Sequence, residues 1–503
     1  MRFSNTLLLL ILCFLVITWT VRSVPPQPPV QCDQTGCTVS NTYGVWPNRT
    51  NCKAAKVAYP TTEEELIKAV AYASEHNLKV KTVTRFSGTI PKLACPSGSD
   101  AMLISTSKYN SAIEIEPDQL TVTADSGVSL RELIDKVEEA GFSLATSPYW
   151  EGMSIGGLVS TGSHGSSWSG RGGSVHDHVV GINLVVPATS SKGYAKVVSI
   201  EEGRDVKLSI EKAFKRSITY NFTSDVALED MFMEHGKKFE FGDITWYPSR
   251  KTAVYRYDLR SPDDVSGNGV NDFIEKVLET SKSENGKCKT ADTTLAYKKL
   301  TGNGLKNNGL FFTGYPVIGT QGKLQSSGSC LFTHLHLELI SLARGTRDIT
   351  VFHSMKRLRY SPFQEDSVVI DFNYYREDDA LTPRLNQDVM EEMEQMEFVK
   401  HGAKPHWGKN RNVGFFGAKQ KYGPNFEKFL EVKNKLDPKM MFSSEWSDEI
   451  LFGRESSKYD GCALEGNCVC SEDRHCSPSK GYFWRQGLVY TQARVCRFSS
   501  AQV

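Results

Sequence analysis

Neither sign of charge is in excess: 59 Lys and Arg stand against 58 Asp and Glu, a formal net charge of +1 over 503 residues. That balance gives no electrostatic ground for nucleic acid or an anionic membrane surface as partner. Long apolar runs are also scarce. The longest, Leu7–Val21, has 15 residues, short of the ~20 that a membrane-spanning helix needs. With Arg2 ahead of it and Val21 and Ser23 suiting a cleavage site, it reads as a secretory signal, residues 1–23. The mature chain is then expected in the secretory pathway, bound for the cell exterior, the wall or the vacuole. Tandem repeats and low-complexity runs are missing. So are a G-x-x-x-x-G-K-[ST] loop, a G-x-G-x-x-G after the first strand and a G-x-S-x-G elbow, which excludes three familiar nucleotide and hydrolase sites. His176-Asp177-His178 would leave a metal short of ligands, so no metal is expected.

Cysteine, by contrast, is concentrated. Of 12 cysteines, Cys13 falls in the leader and five (Cys462, Cys468, Cys470, Cys476, Cys496) crowd the last 42 residues. In an oxidising compartment this reads as a disulfide-stapled module, residues 454–503, rather than a zinc knuckle. Eleven cysteines remain after the leader, an odd number, so at least one has no partner within the chain. Asn48-Arg49-Thr50 and Asn221-Phe222-Thr223 are glycosylation sequons.

Residues 24–56, rich in proline at first and then holding Cys32, Cys37 and Cys52, read as an irregular extension. Order begins with a strand at Val57–Pro60. A helix follows, capped by Thr61 or Thr62 with Glu64 and Glu65 behind, and then an alternating strand at Leu78–Thr84. A second strand–helix unit runs from Leu120–Ala124 into a helix with Ser129 and Glu132 as capping box, ended by Gly141. Such alternation argues α/β or α+β. Beyond 214, aromatic strands such as Phe239–Pro248 and Val368–Tyr375 suggest an antiparallel sheet.

Two loops carry the chemistry. Ser154–Gly165 places four glycines, three serine or threonine hydroxyls within Ser160–Ser163 and His164 in one short stretch, and glycine lets backbone N–H groups approach an anion. Thr84–Pro91, at the end of a strand, has the same composition with Arg85 beside it. Either loop alone could be a plain turn.

Together they resemble the p-cresol methylhydroxylase-type FAD-binding domain of the vanillyl-alcohol oxidase superfamily. Lys404–Asn410, Phe372–Tyr375, Leu436–Pro438 and Phe442–Trp446 extend the likeness to its sugar-lactone oxidase branch, most closely the plant L-gulonolactone oxidases. The resemblance implies an α+β chain: a two-subdomain FAD-binding domain (57–213), an antiparallel-sheet substrate domain (214–453) and the cysteine-rich module (454–503). It implies FAD held by Arg85, Phe86, Ser87, Gly88, Thr89 and Ile90 on one side and by Gly156, Gly157, Ser160, Thr161, Gly162, His164 and Gly165 on the other. It further implies oxidation of an aldonolactone such as L-gulono-1,4-lactone by O₂, giving ascorbate and H₂O₂. His406 and Lys409 would lie at the flavin, and Arg359 at the sugar.

Three departures qualify these expectations. Phe86 stands where animal relatives carry a flavin-linked histidine, so FAD is expected to be non-covalent. A leucine- and glycine-rich block is missing between Glu201 and Ala213, which predicts an uncovered sheet. The substrate-gripping glutamate has no match in Cys330–Arg347. The competing readings are therefore a flavoprotein dehydrogenase of another substrate and a folded, inactive relative.

Overall fold

The computed structural model describes residues 28–42, 46, 51–148, 153–165, 173–200, 206–213, 215–247, 251–261, 305–307, 350–355, 367–372, 379, 381–384, 386–453 and 458–499. The signal, Arg359, Asn48 and the segment 330–347 lie outside them.

The extension is not irregular. Strands β1 (Val30–Asp33), β2 (Gly36–Val39) and β3 (Lys53–Ala54) form a small antiparallel sheet. Asp33 Oδ1 accepts from Thr35 N at 2.6 Å, and Gly36 takes φ +134°, which together make the tight turn between β1 and β2. Disulfides Cys32–Cys37 and Cys52–Cys95 fix this sheet to itself and to the following subdomain.

That subdomain is a parallel sheet in the order β4 (Lys56–Ala58), β6 (Met102–Ser105), β5 (Val80–Val83). Helix Glu63–Glu75 starts where Thr62 accepts from Glu65 N. β6, buried throughout and without alternation, lies between the two strands that flank this helix in the sequence. The second subdomain has the order β11 (Ala195–Ile200), β10 (Val179–Pro187), β12 (Val206–Lys212), β8 (Thr121–Ala124), β7 (Ile113–Glu116), with β9 (Phe142–Leu144) also on β12. Helix Leu130–Glu139, with the Ser129/Glu132 capping box present, packs Leu133, Ile134 and Val137 onto this sheet. Among the described residues the uncovered ladder expected near Ala213 is not found: β12 sits in the middle and pairs with β8, β9 and β10.

A third sheet follows, entirely antiparallel: β16 (Leu305–Asn307), β13 (Lys215–Ser224), β15 (Thr252–Ser261), β14 (Asp243–Tyr247), β17 (Thr350–Met355), β18 (Ser367–Phe372). The chain then returns to the first subdomain. Val80 N donates to Met441 O at 2.8 Å, Glu445 N to Ser97 Oγ at 2.9 Å, and Met441 enters the core beneath helix Glu63–Glu75. Residues 441–445, which the sequence places with the substrate domain, thus pack on the first subdomain. The hairpin β19 (Tyr482–Gln486)–β20 (Arg494–Phe498) and disulfides Cys462–Cys468 and Cys476–Cys496 make the last module. Cys470 is free and buried. Among the described residues no helix is long and apolar enough to cross a membrane.

Candidate functional site

The first loop owes its shape to the extension. Arg85 O accepts from Thr42 Oγ1 (2.7 Å), Phe86 O from Asn41 Nδ2 (2.9 Å) and Thr42 N (3.0 Å), and Gly88 O from Asn41 Nδ2 (2.8 Å) and Trp46 Nε1 (2.9 Å). In a trans peptide the carbonyl and the following N–H point in opposite directions. The N–H groups of Phe86, Ser87 and Thr89 are thereby turned away from the extension, as one face of donors. Phe86 itself is buried with Trp46, Cys52 and Leu103, at φ +53°. Its ring lies in the core shared by the extension and the first subdomain, so within the loop Phe86 presents its backbone.

The glycine stretch folds as a short helix, Ile155–Ser160, capped by Ser154. Thr161 Oγ1 donates to Gly157 O at 2.8 Å. A Cβ on Gly156 would stand 3.0 Å from Ser126 Cβ, and one on Gly165 2.6 Å from Thr146 Oγ1 and 2.8 Å from Ser147 O. These two glycines are required for packing. At Gly88 and Gly162 a Cβ would meet no protein atom within 4 Å, so there the backbone faces open space, as a cradle for a ligand demands.

A seam joins the loops. Thr84 Oγ1 and Thr106 Oγ1 are 2.8 Å apart, and Gly127 lies so close to Thr106 that a Cβ would fall 2.1 Å from its carbonyl oxygen. Ser129 bridges to Ser154. Hydrogen bonds from the Ser129 hydroxyl and N–H hold Glu132 below the usual carboxylate range, with the Arg85 charge adding to the effect. The Arg85 charge thus reaches the cap of the helix whose N-cap residue, Ser129, bridges to Ser154. Ser126, Gly127, Thr146 and the supporting Asn41, Thr42 and Trp46 had no signal in the sequence beyond an isolated Ser-Gly pair.

His406 reaches the same place from the far end of the chain. Its ring is 5.4 Å from that of His164, and a Cβ on Gly408 would stand 3.0 Å from Thr161 Cβ. Gly408 N donates to His406 Nδ1 at 3.0 Å, which in the neutral ring puts the proton on Nε2. His164 Nδ1 lies 2.9 Å from Gly165 O, so that nitrogen carries the proton. Trp407 turns away and packs on Phe415, Tyr422 and Trp446. Lys409 is exposed at the end of the turn, its N–H on His406 O. The structure therefore brings together His164, Thr161, Gly162 and His406, with Ser160 and Lys409 next in the chain. Arg85–Ile90 follow Thr84, which meets Thr106 in the seam.

His176-Asp177-His178 forms a tight turn in which burial lifts the Asp177 carboxyl to about 6. The sulfurs of Cys462, Cys468, Cys476 and Cys496 lie in clusters close enough for a metal, but they are paired as disulfides.

Residues 54–190 match the FAD binding domain family, 351–450 the D-arabinono-1,4-lactone oxidase family, and 459–498 the C-terminal domain of L-gulonolactone oxidase 2-like proteins. L-gulonolactone oxidase 3 of Arabidopsis thaliana is 69% identical over 582 aligned positions, covering all of both chains. Since this chain has 503 residues, at least 79 of those positions have no counterpart in it. L-gulonolactone oxidase 5 of the same plant is 39% identical over 96% of each chain. Cholesterol oxidase from B. sterolicum superposes with a TM-score of 0.55 at 14% identity, over 85% of this chain and 99% of that one.

Proposed function

The chain belongs to the L-gulonolactone oxidase family, and on that premise we propose that it is an FAD-dependent oxidoreductase converting L-gulono-1,4-lactone and O₂ to L-ascorbate and H₂O₂. The carrying observation is the convergence of His164 and Thr161 with His406 and Gly408, from motifs more than 240 residues apart.

The residues fit FAD. Gly88 and Gly162 offer backbone without obstruction, which suits a diphosphate. FAD supplies the redox chemistry when bound, while the protein holds and orients it. Phe86 is packed between the extension and the first subdomain and has no nucleophile, so the cofactor is held non-covalently. His406, with Nδ1 fixed by Gly408 N, offers an Nε2–H donor to a lactone oxygen. Lys409 supplies a positive charge at the same turn, suited to stabilise developing negative charge. Arg359, outside the described residues, is proposed to hold the sugar.

Four disulfides among the described residues support passage through the secretory pathway. A second reading, a folded relative without turnover, is favoured by one observation, the missing alignment positions. The visible spectrum of the purified chain separates the two. The oxidase reading expects flavin absorbance, anaerobic bleaching by L-gulono-1,4-lactone, and recovery with peroxide on admitting O₂. Protein without flavin would sink it, and bleaching only by another substrate would select a dehydrogenase of that substrate.

A further inference from the structure

The C-terminal cysteine module touches the chain immediately after the His406–Lys409 turn. Gly466 lies within the small loop closed by Cys462–Cys468, with its N–H on Ala463 O at 2.8 Å. Its own carbonyl accepts from Val413 N at 3.3 Å. A Cβ on Gly466 would fall 2.5 Å from both Cδ and Nε of Arg411 and 2.7 Å from its Cβ. Arg411 cannot swing aside, because it is 8% exposed and its guanidinium is paired with Glu394. Only one residue, Asn410, separates Arg411 from Lys409. The turn is closed internally by His406 N on Asn410 Oδ1 (2.7 Å) and Asn410 N on His406 O (3.0 Å).

The module is itself firmly seated. Along helix Gln387–Gln395, Asp388, Glu391, Glu392 and Gln395 fall on one face and bind the hairpin β19–β20. Glu391 accepts from Cys496 N at 2.7 Å, Gln395 exchanges two bonds with the Arg494 backbone, and Asp388 pairs with Arg497 at 2.8 Å. Glu392 gathers the N–H groups of Leu488, Val489 and Tyr490. A rigid body so held can fix whatever leans on it.

We propose that Gly466 is a positioning residue: the disulfide-closed loop is a strut that presses on Arg411 and sets the His406–Lys409 turn. Its catalytic consequence rests on the oxidase reading; its mechanical consequence does not. The test compares Gly466→Ala with Gly481→Ala in the full secreted chain. Both glycines have left-handed backbone, at φ +63° and +79°, and so bear the same intrinsic strain. A Cβ on Gly481, however, meets the ring of exposed Phe498, which can move.

Amide hydrogen exchange over 406–413 is expected to speed up about tenfold in Gly466→Ala and to stay as in the parent in Gly481→Ala. With lactone, kcat should fall about 10- to 100-fold in the first variant alone, KM staying within about threefold, as for displacement of a group by an ångström. Equal exchange in the two variants, or faster exchange in Gly466→Ala with kcat unchanged, would overturn the proposal. If the parent oxidises no lactone, the exchange contrast still decides it. Should Gly466→Ala fail to accumulate, Arg411→Lys keeps the charge toward Glu394 and removes the guanidinium packed on Gly466. It must then loosen 406–413, and unchanged exchange would refute the strut.

Discussion

Two glycines distinguish packing from cofactor contact. At Gly127 a Cβ would fall 2.1 and 2.4 Å from the carbonyl oxygens of Thr106 and Tyr109, neither of which can withdraw without opening the seam. Gly127→Ala should therefore destabilise the protein by about 3 kcal/mol or more, with flavin lost as a secondary effect. At Gly88 nothing lies within 4 Å. Gly88→Ala should leave the melting temperature of the flavin-free protein unchanged and weaken FAD about tenfold, ~1.4 kcal/mol, read by flavin fluorescence titration. A fall in melting temperature of the flavin-free Gly88→Ala protein would remove the loop from the cofactor site. Lys409→Met should lower kcat by about 10²-fold, as loss of one electrostatic contact does, with FAD content unchanged. Loss of FAD in that variant would make Lys409 a cofactor-binding group. The glycine and histidine motifs were legible in the sequence because backbone approach and imidazole chemistry demand those residue types. Phe86 was not: whether its side chain faces the cofactor or the core depends on a φ of +53° and on distant Trp46, which no local spacing records.

Among the elements, the helices were legible where their signals are local. Ser129 with Glu132, and Thr62 with Glu65, cap their helices as the sequence indicates. Strand β6 was not, because a strand buried on both faces loses the alternation that announces strands. Helix Gln387–Gln395 shows the opposite difficulty. Its polar stripe Asp388, Glu391, Glu392 and Gln395 would ordinarily be a solvated face, yet it serves as partner to the exposed edge of β20. Burial there raises the Glu391 carboxyl to about 7, against the donors Cys496 N and Gln387 Nε2. A folded pKa above the unfolded one means that the folded state retains a proton the unfolded chain gives up. The stabilising contribution is thus fully present below the unfolded value, about 4.3. It declines as pH rises through about 7, and is flat above. Melting temperature measured from pH 4.5 to 7.5 should fall in the parent by more than in Glu391→Gln. Parallel curves for the two proteins would show that Glu391 is already ionised when folded.

For the whole molecule, the extension, the Thr84–Pro91 loop and the first subdomain form one mechanical unit. Composition separates residues 24–56 because they are rich in proline and cysteine. Asn41, Thr42 and Trp46 nonetheless hold the carbonyls of Arg85, Phe86 and Gly88. The Cys52–Cys95 disulfide closes this unit across 43 residues. On the chain-entropy account a loop of that length contributes about 4 kcal/mol against unfolding. Its removal should act first on the loop, because the extension is a small sheet with little core of its own. In a Cys52→Ser/Cys95→Ser variant the flavin should therefore leave well below the temperature at which tryptophan fluorescence reports global unfolding, whereas in the parent the two transitions coincide. The same double substitution at Cys476 and Cys496, in the distant module, should lower both transitions together or neither. If flavin release and unfolding remain coincident without Cys52–Cys95, the extension is only an appendage, and the carbonyl contacts do not govern the donor face that the loop offers to the cofactor.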